Sequence, residues 1–147
     1  MKIVNVFIDF KKINFNHYFC KSIVGKVCKH YNYDSYDINI IFTSDTYLSA
    51  LKKEFFSKNQ WTDVIAFPMQ NKNSKHIEGE IYISIPTAKK NSIAFNEPYE
   101  KELTRLIIHG SLHLLGIEDR STDQKEEMIK LEETFLKDIS WSGLIEK

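Results

Sequence analysis

The run from Leu103 to Leu114 constrains the fold of this chain more than any other segment. Its apolar residues recur at intervals of three and four, the spacing of one helix face, and they are Leu103, Leu106, Ile107, Gly110 and Leu114. A helix with such an apolar stripe packs against other elements of a core. We therefore predict a buried helix, opened by Pro98, that lies against a sheet at the centre of the fold.

The same helix carries a candidate metal site. His109 and His113 are four residues apart, so both imidazoles lie on one face of the helix. Gly116 suits the left-handed residue that ends a helix, and the turn after it can return Asp119 towards the histidines. Two nitrogens and one oxygen leave a position open for water, as in catalytic zinc sites. The alternative is that two core or surface histidines merely share a helix face.

The other segments predict one α+β domain over residues 1–147. β-Branched, aromatic or alternating residues predict strands at 3–8, 37–42, 64–67 and 79–85. Helical spacing and capping residues predict helices at about 16–30, from Ser44 or Asp45 to about Ser57, from Pro86, and from Ser121. We expect a small mixed sheet packed on helices, with the histidine helix in the middle.

Some details of this prediction concern single side chains. In the second helix, Leu48, Leu51 and Phe55 are expected to face inward. The polar stretch Gln70–Glu78 is expected to be a mobile loop that joins two paired strands. The strand after it should then end at Ile85.

Composition bounds the class of protein. The 147 residues include 20 basic and 20 acidic side chains, and a net charge of zero argues against a surface that attracts polyanions everywhere. No apolar stretch can span a membrane and no secretory signal is evident, so we expect a cytoplasmic protein without a membrane partner. Cys20 and Cys28 are too far apart on one helix to bridge, and we expect them to be buried and reduced.

The residue after His109 limits which metal-dependent reactions the site could catalyse. It is Gly110, where the helical metalloprotease motif has a glutamate as general base, so the peptidase interpretation is excluded. A metal hydrolase remains, since an ion can itself lower the pKa of its water and polarise a phosphoryl oxygen. The sequence has no nucleophile elbow, glycine-rich phosphate loop or dinucleotide motif, so no organic cofactor is expected.

Three segments together resemble the bacterial YbeY family. The run His109–Asp119 resembles the metal-binding signature of that family, Trp61–Pro68 is similar to its Thr-Asp-Val segment, and Gly79–Ser84 is similar to its Gly-Asp/Glu-Ile strand. Their order and spacing agree. The resemblance spans about Ser44 to Phe135, and the first forty residues match only in outline.

The resemblance implies a zincin-like fold and a zinc-dependent endoribonuclease. Members of the family cut single-stranded RNA during maturation of the 3′ end of 16S ribosomal RNA, so ribosomal RNA and the small ribosomal subunit are the implied partners. His109 and His113 would bind one Zn²⁺ ion per chain, with Asp119 as the third ligand. Hydrolysis would use metal-activated water, and no side chain identifies itself as the general base.

Two positions depart from the usual family pattern. Asp119 stands where the family usually has a third histidine. Two histidines and one carboxylate are still a known catalytic set, although the metal preference moves towards harder ions such as manganese. Phe56 stands where the family commonly has an arginine, and a phenylalanine cannot hold a phosphate. Either Lys58 or another nearby lysine contacts the RNA instead, or the activity is weak or absent.

Thr62, Asp63 and Glu80 are expected around the cleft. Asp63 or Glu80 could support a ligand histidine from behind, as carboxylates do at many metal sites. The alternative is that a threonine and an aspartate before a strand only satisfy local backbone donors. Bases of single-stranded RNA could stack on Trp61 or Tyr82, which could equally belong to the core.

Two other functions remain open from the sequence. One is a ribosome-assembly factor that binds the small subunit without cutting RNA, with a structural or vestigial metal site, and Phe56 favours it. The other is a metal-dependent hydrolase of small substrates, which would have a deep closed pocket.

Overall fold

The strands form one mixed sheet. The computed structural model describes residues 1–10, 13–56, 62–71 and 73–146. Its strands are β1 (Lys2–Ile8), β2 (Ser35–Thr43), β3 (Val64–Pro68) and β4 (His76–Ser84), in the spatial order β1-β2-β4-β3. β2 pairs in parallel with both β1 and β4, whereas β3 runs antiparallel to β4. The predicted pairing of the third and fourth strands is therefore confirmed.

Helices follow β1, β2 and β4 along the chain. They are α1 (His17–His30), α2 (Asp45–Phe56), α3 (Ile85–Ala94), α4 (Tyr99–Leu114) and α5 (Thr122–Asp138). The side chain of Asn16 caps α1 by accepting a hydrogen bond from the backbone N–H of Phe19. Ser121 and Gln124 form the predicted capping box of α5. The predicted α+β fold is confirmed.

Helix α4 lies at the centre of the fold. It contacts α1, α3 and α5 as well as strands β3 and β4, and its predicted apolar stripe is buried. Gly110 allows this close packing, because a Cβ atom there would lie 2.5 Å from Cγ2 of Ile81 on β4. The missing side chain at residue 110 thus sets how closely the histidine helix approaches the sheet.

Strand β4 begins earlier than the sequence predicts. The stretch Gln70–Glu78 was expected to be a loop throughout, but residues 76–78 belong to the strand. They pair with the start of β2, and Oγ of Ser35 lies 2.7 Å from Nδ1 of His76. Polarity is a poor guide here, because the partner strand supplies the backbone hydrogen bonds. Ile85, expected to end the strand, is instead the first residue of α3.

Fewer side chains of α2 are buried than the sequence predicts. Leu48 is fully buried and Leu51 is half-buried, but Phe55 is 60% exposed. Its ring only meets the ring of Phe67 edge-on, with centroids 5.3 Å apart. The prediction that Phe55 faces inward is therefore wrong, because the last turn of α2, residues 53–56, lies at the surface.

The two cysteines are free and buried, as the sequence predicts. Burial raises the pKa of the Cys20 and Cys28 thiols to about 12, so both are protonated and unreactive at neutral pH. None of the helices in the described part of the chain combines the length and apolar character needed to cross a membrane.

Candidate metal centre

The three predicted ligands converge at the C-terminal end of α4. Nε2 of His109 and Nε2 of His113 lie 3.0 Å apart. Oδ2 of Asp119 lies 3.5 Å from the first of these nitrogens and 3.4 Å from the second. One donor atom from each residue falls within 4.8 Å of the others, so a single ion could contact all three.

The end of α4 explains how Asp119 reaches the histidines. Gly116 has a φ of +91°, in the left-handed region that favours glycine. The backbone N–H of Gly116 donates to the carbonyl of His113, and that of Ile117 donates to the carbonyl of Leu112. These two bonds form a Schellman motif, which reverses the chain just after the helix. The predicted turn at Gly116 is present, and it directs Asp119 back over α4.

The electrostatics at His113 suit a metal ligand. Burial lowers the pKa of this imidazole, and the neighbouring charge of His109 lowers it further. Attraction to Asp119 opposes both effects but does not cancel them. The pKa of His113 therefore lies below its ordinary value, which favours the neutral imidazole that a metal ion requires.

The donor set fits a divalent ion. Two imidazole nitrogens and one carboxylate oxygen match a known catalytic zinc set, and the cluster is partly exposed rather than sealed. All three residues line a cavity of about 920 Å³, so the cluster is accessible from that cavity. The structure brings the predicted ligands together, and their role as zinc ligands stays a prediction.

Of the other predicted cleft residues, two line the cavity and Glu80 does not. Thr62 and Asp63 line the same cavity as the three ligands. Glu80 is not among the lining residues, and it accepts a hydrogen bond from the hydroxyl of Tyr82, 2.9 Å away. That tyrosine packs edge-on against Phe67 within the sheet, so it is not placed as a stacking surface in the cavity.

The last turns of α2 form one rim of the cavity. Phe56, at the position where an arginine was expected, is 44% exposed and lines the cavity together with Lys52. Nζ of Lys52 lies 5.2 Å from the centre of the Phe56 ring. Arg120 adds a second positive charge to the lining. Lys58 and Trp61, two predicted RNA contacts, lie outside the described residues.

Glu132 is a site residue that the sequence reasoning missed. Its Oε2 lies 2.5 Å from Nδ1 of His109, and its side chain is only 2% exposed. The carboxylate behind His109 is Glu132 of α5, whereas Asp63 accepts a hydrogen bond from Asn91 and Glu80 accepts one from Tyr82. A signal was available, because Glu132 shares one helix face with Met128 and Phe135, and a carboxylate in an apolar stripe needs a buried partner.

The chain is similar to known proteins over most of its length. A sequence model for the family described as Endoribonuclease YbeY matches residues 7–140. The chain belongs to the YbeY family. The Endoribonuclease YbeY of Persephonella marina is 36% identical over 125 residues, 82% of each protein. That of Karelsulcia muelleri is 36% identical over 135 residues, 91% of this chain and 94% of the relative.

A solved structure shares the fold of this chain. The solution structure of TM1509 from Thermotoga maritima matches with a TM-score of 0.62 and 24% sequence identity. The match covers 92% of this chain and 88% of that protein. The YbeY family match also begins at residue 7, so the similarity reaches well before Ser44, where the sequence motifs start.

Proposed function

We propose that this protein is a metal-dependent endoribonuclease. The observation that carries the proposal is the cluster of His109, His113 and Asp119 in the wall of an open cavity. It is supported by membership of a family whose relatives are named endoribonucleases. An open cavity beside three ligands also suits a polymeric substrate better than the deep closed pocket of a small-molecule hydrolase.

The residues of the cavity have separate parts in the proposed reaction. A divalent ion held by the cluster would supply Lewis-acid polarisation of the phosphodiester and lower the pKa of a water molecule. Lys52 and Arg120 line the same cavity as the cluster and would contact phosphates of the bound strand. Thr62 and Asp63 line the same cavity and would offer hydrogen bonds to the ribose or base.

The finer assignment rests on family resemblance. We propose zinc as the ion, one per chain, and single-stranded ribosomal RNA as the substrate. The cut would contribute to maturation of the 3′ end of 16S ribosomal RNA, in contact with the small ribosomal subunit. The activity would then lie in the cytoplasm, where bacterial ribosomal RNA is processed.

Cleavage of a ribosomal RNA precursor fragment tests the proposal. Purified zinc-loaded protein is incubated with single-stranded RNA that spans the 3′ end of the 16S sequence. We expect cutting that stops with chelator and in His113→Ala, which should also lose its ion in elemental analysis. His17→Ala is the matched control, since His17 is exposed and outside the cluster. The enzyme would be rejected if metal-loaded wild-type protein left the RNA intact and if Asp119→Ala left the metal content and the RNA unchanged as well.

A second function is favoured by Phe56. The rim of the cavity presents an aromatic ring where a phosphate-binding arginine was expected, and this suits a ribosome-assembly factor that does not cut RNA. The same experiment separates the two functions if binding to small subunits is measured in parallel. Binding without cleavage, unaffected by chelator, supports the assembly factor.

A further inference from the structure

A network of charges lies directly behind His109, with two buried carboxylates around the Arg105 side chain, which is 25% exposed. Glu132 contacts Nδ1 of His109 with one oxygen and accepts a hydrogen bond from Nη1 of Arg105 with the other, at 2.9 Å. Arg105 also binds Glu102 through two atoms, with Nε to Oε1 at 2.8 Å and Nη2 to Oε2 at 2.6 Å. One guanidinium thus joins two carboxylates, whose side chains are 3% and 2% exposed.

The network is anchored at its far end by α3. Nδ2 of Asn91 donates to Oε2 of Glu102 at 3.2 Å and to Oδ2 of Asp63 at 3.0 Å. Asp63 lines the cavity, so the hydrogen bonds run from the cavity wall through the interior to His109. The four side chains between Asp63 and His109 each have a partner on both sides, which restricts their rotamers.

Stability does not explain this network well. A buried ion pair loses hydration on both partners, and apolar residues of similar volume often stabilise a fold as well or better. The charges of Glu102 and Glu132 raise the pKa of Arg105 above its ordinary value although burial opposes it, so the guanidinium stays charged. Arg105 and its two carboxylates together carry a net charge of −1. The carboxylate of Glu132 places negative charge next to Nδ1 of His109.

The contact at Nδ1 decides which nitrogen of His109 can bind an ion. A carboxylate held by a guanidinium is a hydrogen-bond acceptor, so Nδ1 of His109 must carry the proton. Nε2 then has a free lone pair, and it is the atom that lies 3.0 Å from Nε2 of His113 and 3.5 Å from Oδ2 of Asp119. The free lone pair therefore points into the ligand cluster.

We propose that Glu132 and Arg105 are positioning residues of the metal centre. Arg105 fixes the carboxylate of Glu132, and Glu132 fixes the tautomer and the ring orientation of His109. Neither residue lines the cavity, so neither needs to touch the substrate. The inference rests on the proposed metal site, and it adds that metal affinity depends on residues of α4 and α5 that do not line the cavity.

Two measurements on metal-free and zinc-loaded protein test the inference. Imidazole ¹⁵N NMR of the metal-free wild type should report a proton on Nδ1 of His109, and Glu132→Gln should weaken that preference. Competition with a chromophoric chelator should give a zinc Kd that is about tenfold or more higher in Glu132→Gln than in the wild type. This is the usual effect of removing the hydrogen-bond partner of a ligand histidine. Arg105→Lys should weaken zinc binding too, because an ammonium cannot hold both carboxylates in a fork.

Glu133→Gln is the matched control, since Glu133 is the exposed neighbour on the same helix. It should bind zinc as tightly as the wild type. A proton on Nε2 of His109 in the wild type would overturn the inference without any variant, even if Glu132→Gln failed to fold. Wild-type zinc affinity in both Glu132→Gln and Arg105→Lys would also overturn it.

The outcome is separable from that of the proposed function. A wild type that binds neither zinc nor manganese rejects the metal centre itself, and with it the metal-dependent enzyme. A wild type that binds zinc, with unaffected variants, rejects only the positioning roles. Protein that binds zinc in the expected order of affinities but leaves RNA intact supports the positioning roles and rejects the nuclease.

Discussion

Asp119 is the residue at which the ligand cluster departs from the usual YbeY pattern. A carboxylate oxygen is a harder ligand than an imidazole nitrogen, so it favours manganese relative to zinc. We expect Asp119→His to raise the preference for zinc over manganese by about tenfold, the scale on which changes around a metal centre act. Chelator competition with each ion measures the two dissociation constants.

Asp119→Asn separates charge from shape in this comparison. It keeps a side-chain oxygen at the same reach but removes the negative charge, so both ions should bind more weakly than in the wild type. If the ratio of the two affinities is the same in all three proteins, Asp119 does not contact the ion. The cluster at the end of α4 would then consist of the two histidines alone.

The three ligands were predictable because they are close in sequence. His109, His113 and Asp119 lie within eleven residues, and helical periodicity with one glycine turn is enough to bring them together. Glu132 was not predicted, because its contact with His109 depends on how α5 packs against α4 across 23 positions of the chain. Local rules describe a single helix well, but they do not give the rotation of one helix against another.

At the scale of elements, the packing of α4 on β4 depends on Gly110. A Cβ atom there would lie 2.5 Å from Cγ2 and 3.2 Å from Cγ1 of the buried Ile81, and neither atom can move far in a close-packed interior. We expect Gly110→Ala to lower the free energy of unfolding by about 1–3 kcal/mol, as overpacking does. For a chain of this size Tm should fall by about 2–4 °C per kcal/mol.

A double-mutant cycle isolates this contact. Ile81→Ala alone should cost about 2–5 kcal/mol through the lost burial and the cavity it leaves. Because the new methyl at residue 110 then fills part of that cavity, the double variant should be less destabilised than the sum of the single variants. Urea denaturation of the four proteins measures the coupling, and strict additivity would show that α4 relaxes away from the sheet instead.

The sequence predicts elements better than it predicts their edges. The capping residues Asn16 and Ser121 act locally, and the helices after them begin where expected. Residues 76–78 are polar and join β4 only because β2 lies beside them, a long-range pairing that their own sequence does not encode. Phe55 follows helical spacing, yet the last turn of α2 lies at the surface.

At the scale of the whole molecule, charge balance limits how the protein can hold RNA. With 20 basic and 20 acidic residues, the formal net charge is zero, so long-range attraction to a polyanion is weak. Binding must then depend on local positive charges, and Lys52 and Arg120 lie at the cavity beside the carboxylates of Asp63 and Asp119. The proposed RNA contact should therefore involve few phosphates and depend only modestly on salt.

Lys52→Ala tests this expectation through the salt dependence of binding. The logarithm of the binding constant for a short single-stranded RNA, measured in chelator so that it is not cut, falls linearly with the logarithm of the salt concentration. Each neutralised phosphate contributes a slope of about −0.7 on a single strand. We expect Lys52→Ala to weaken binding and to make the slope shallower by about that amount.

Lys130→Ala is the control, because the Lys130 side chain is 73% exposed on α5 and does not line the cavity. An equal change in both variants would mean that the RNA senses the overall charge of the molecule, and an unchanged slope in Lys52→Ala would remove Lys52 from the phosphate contacts.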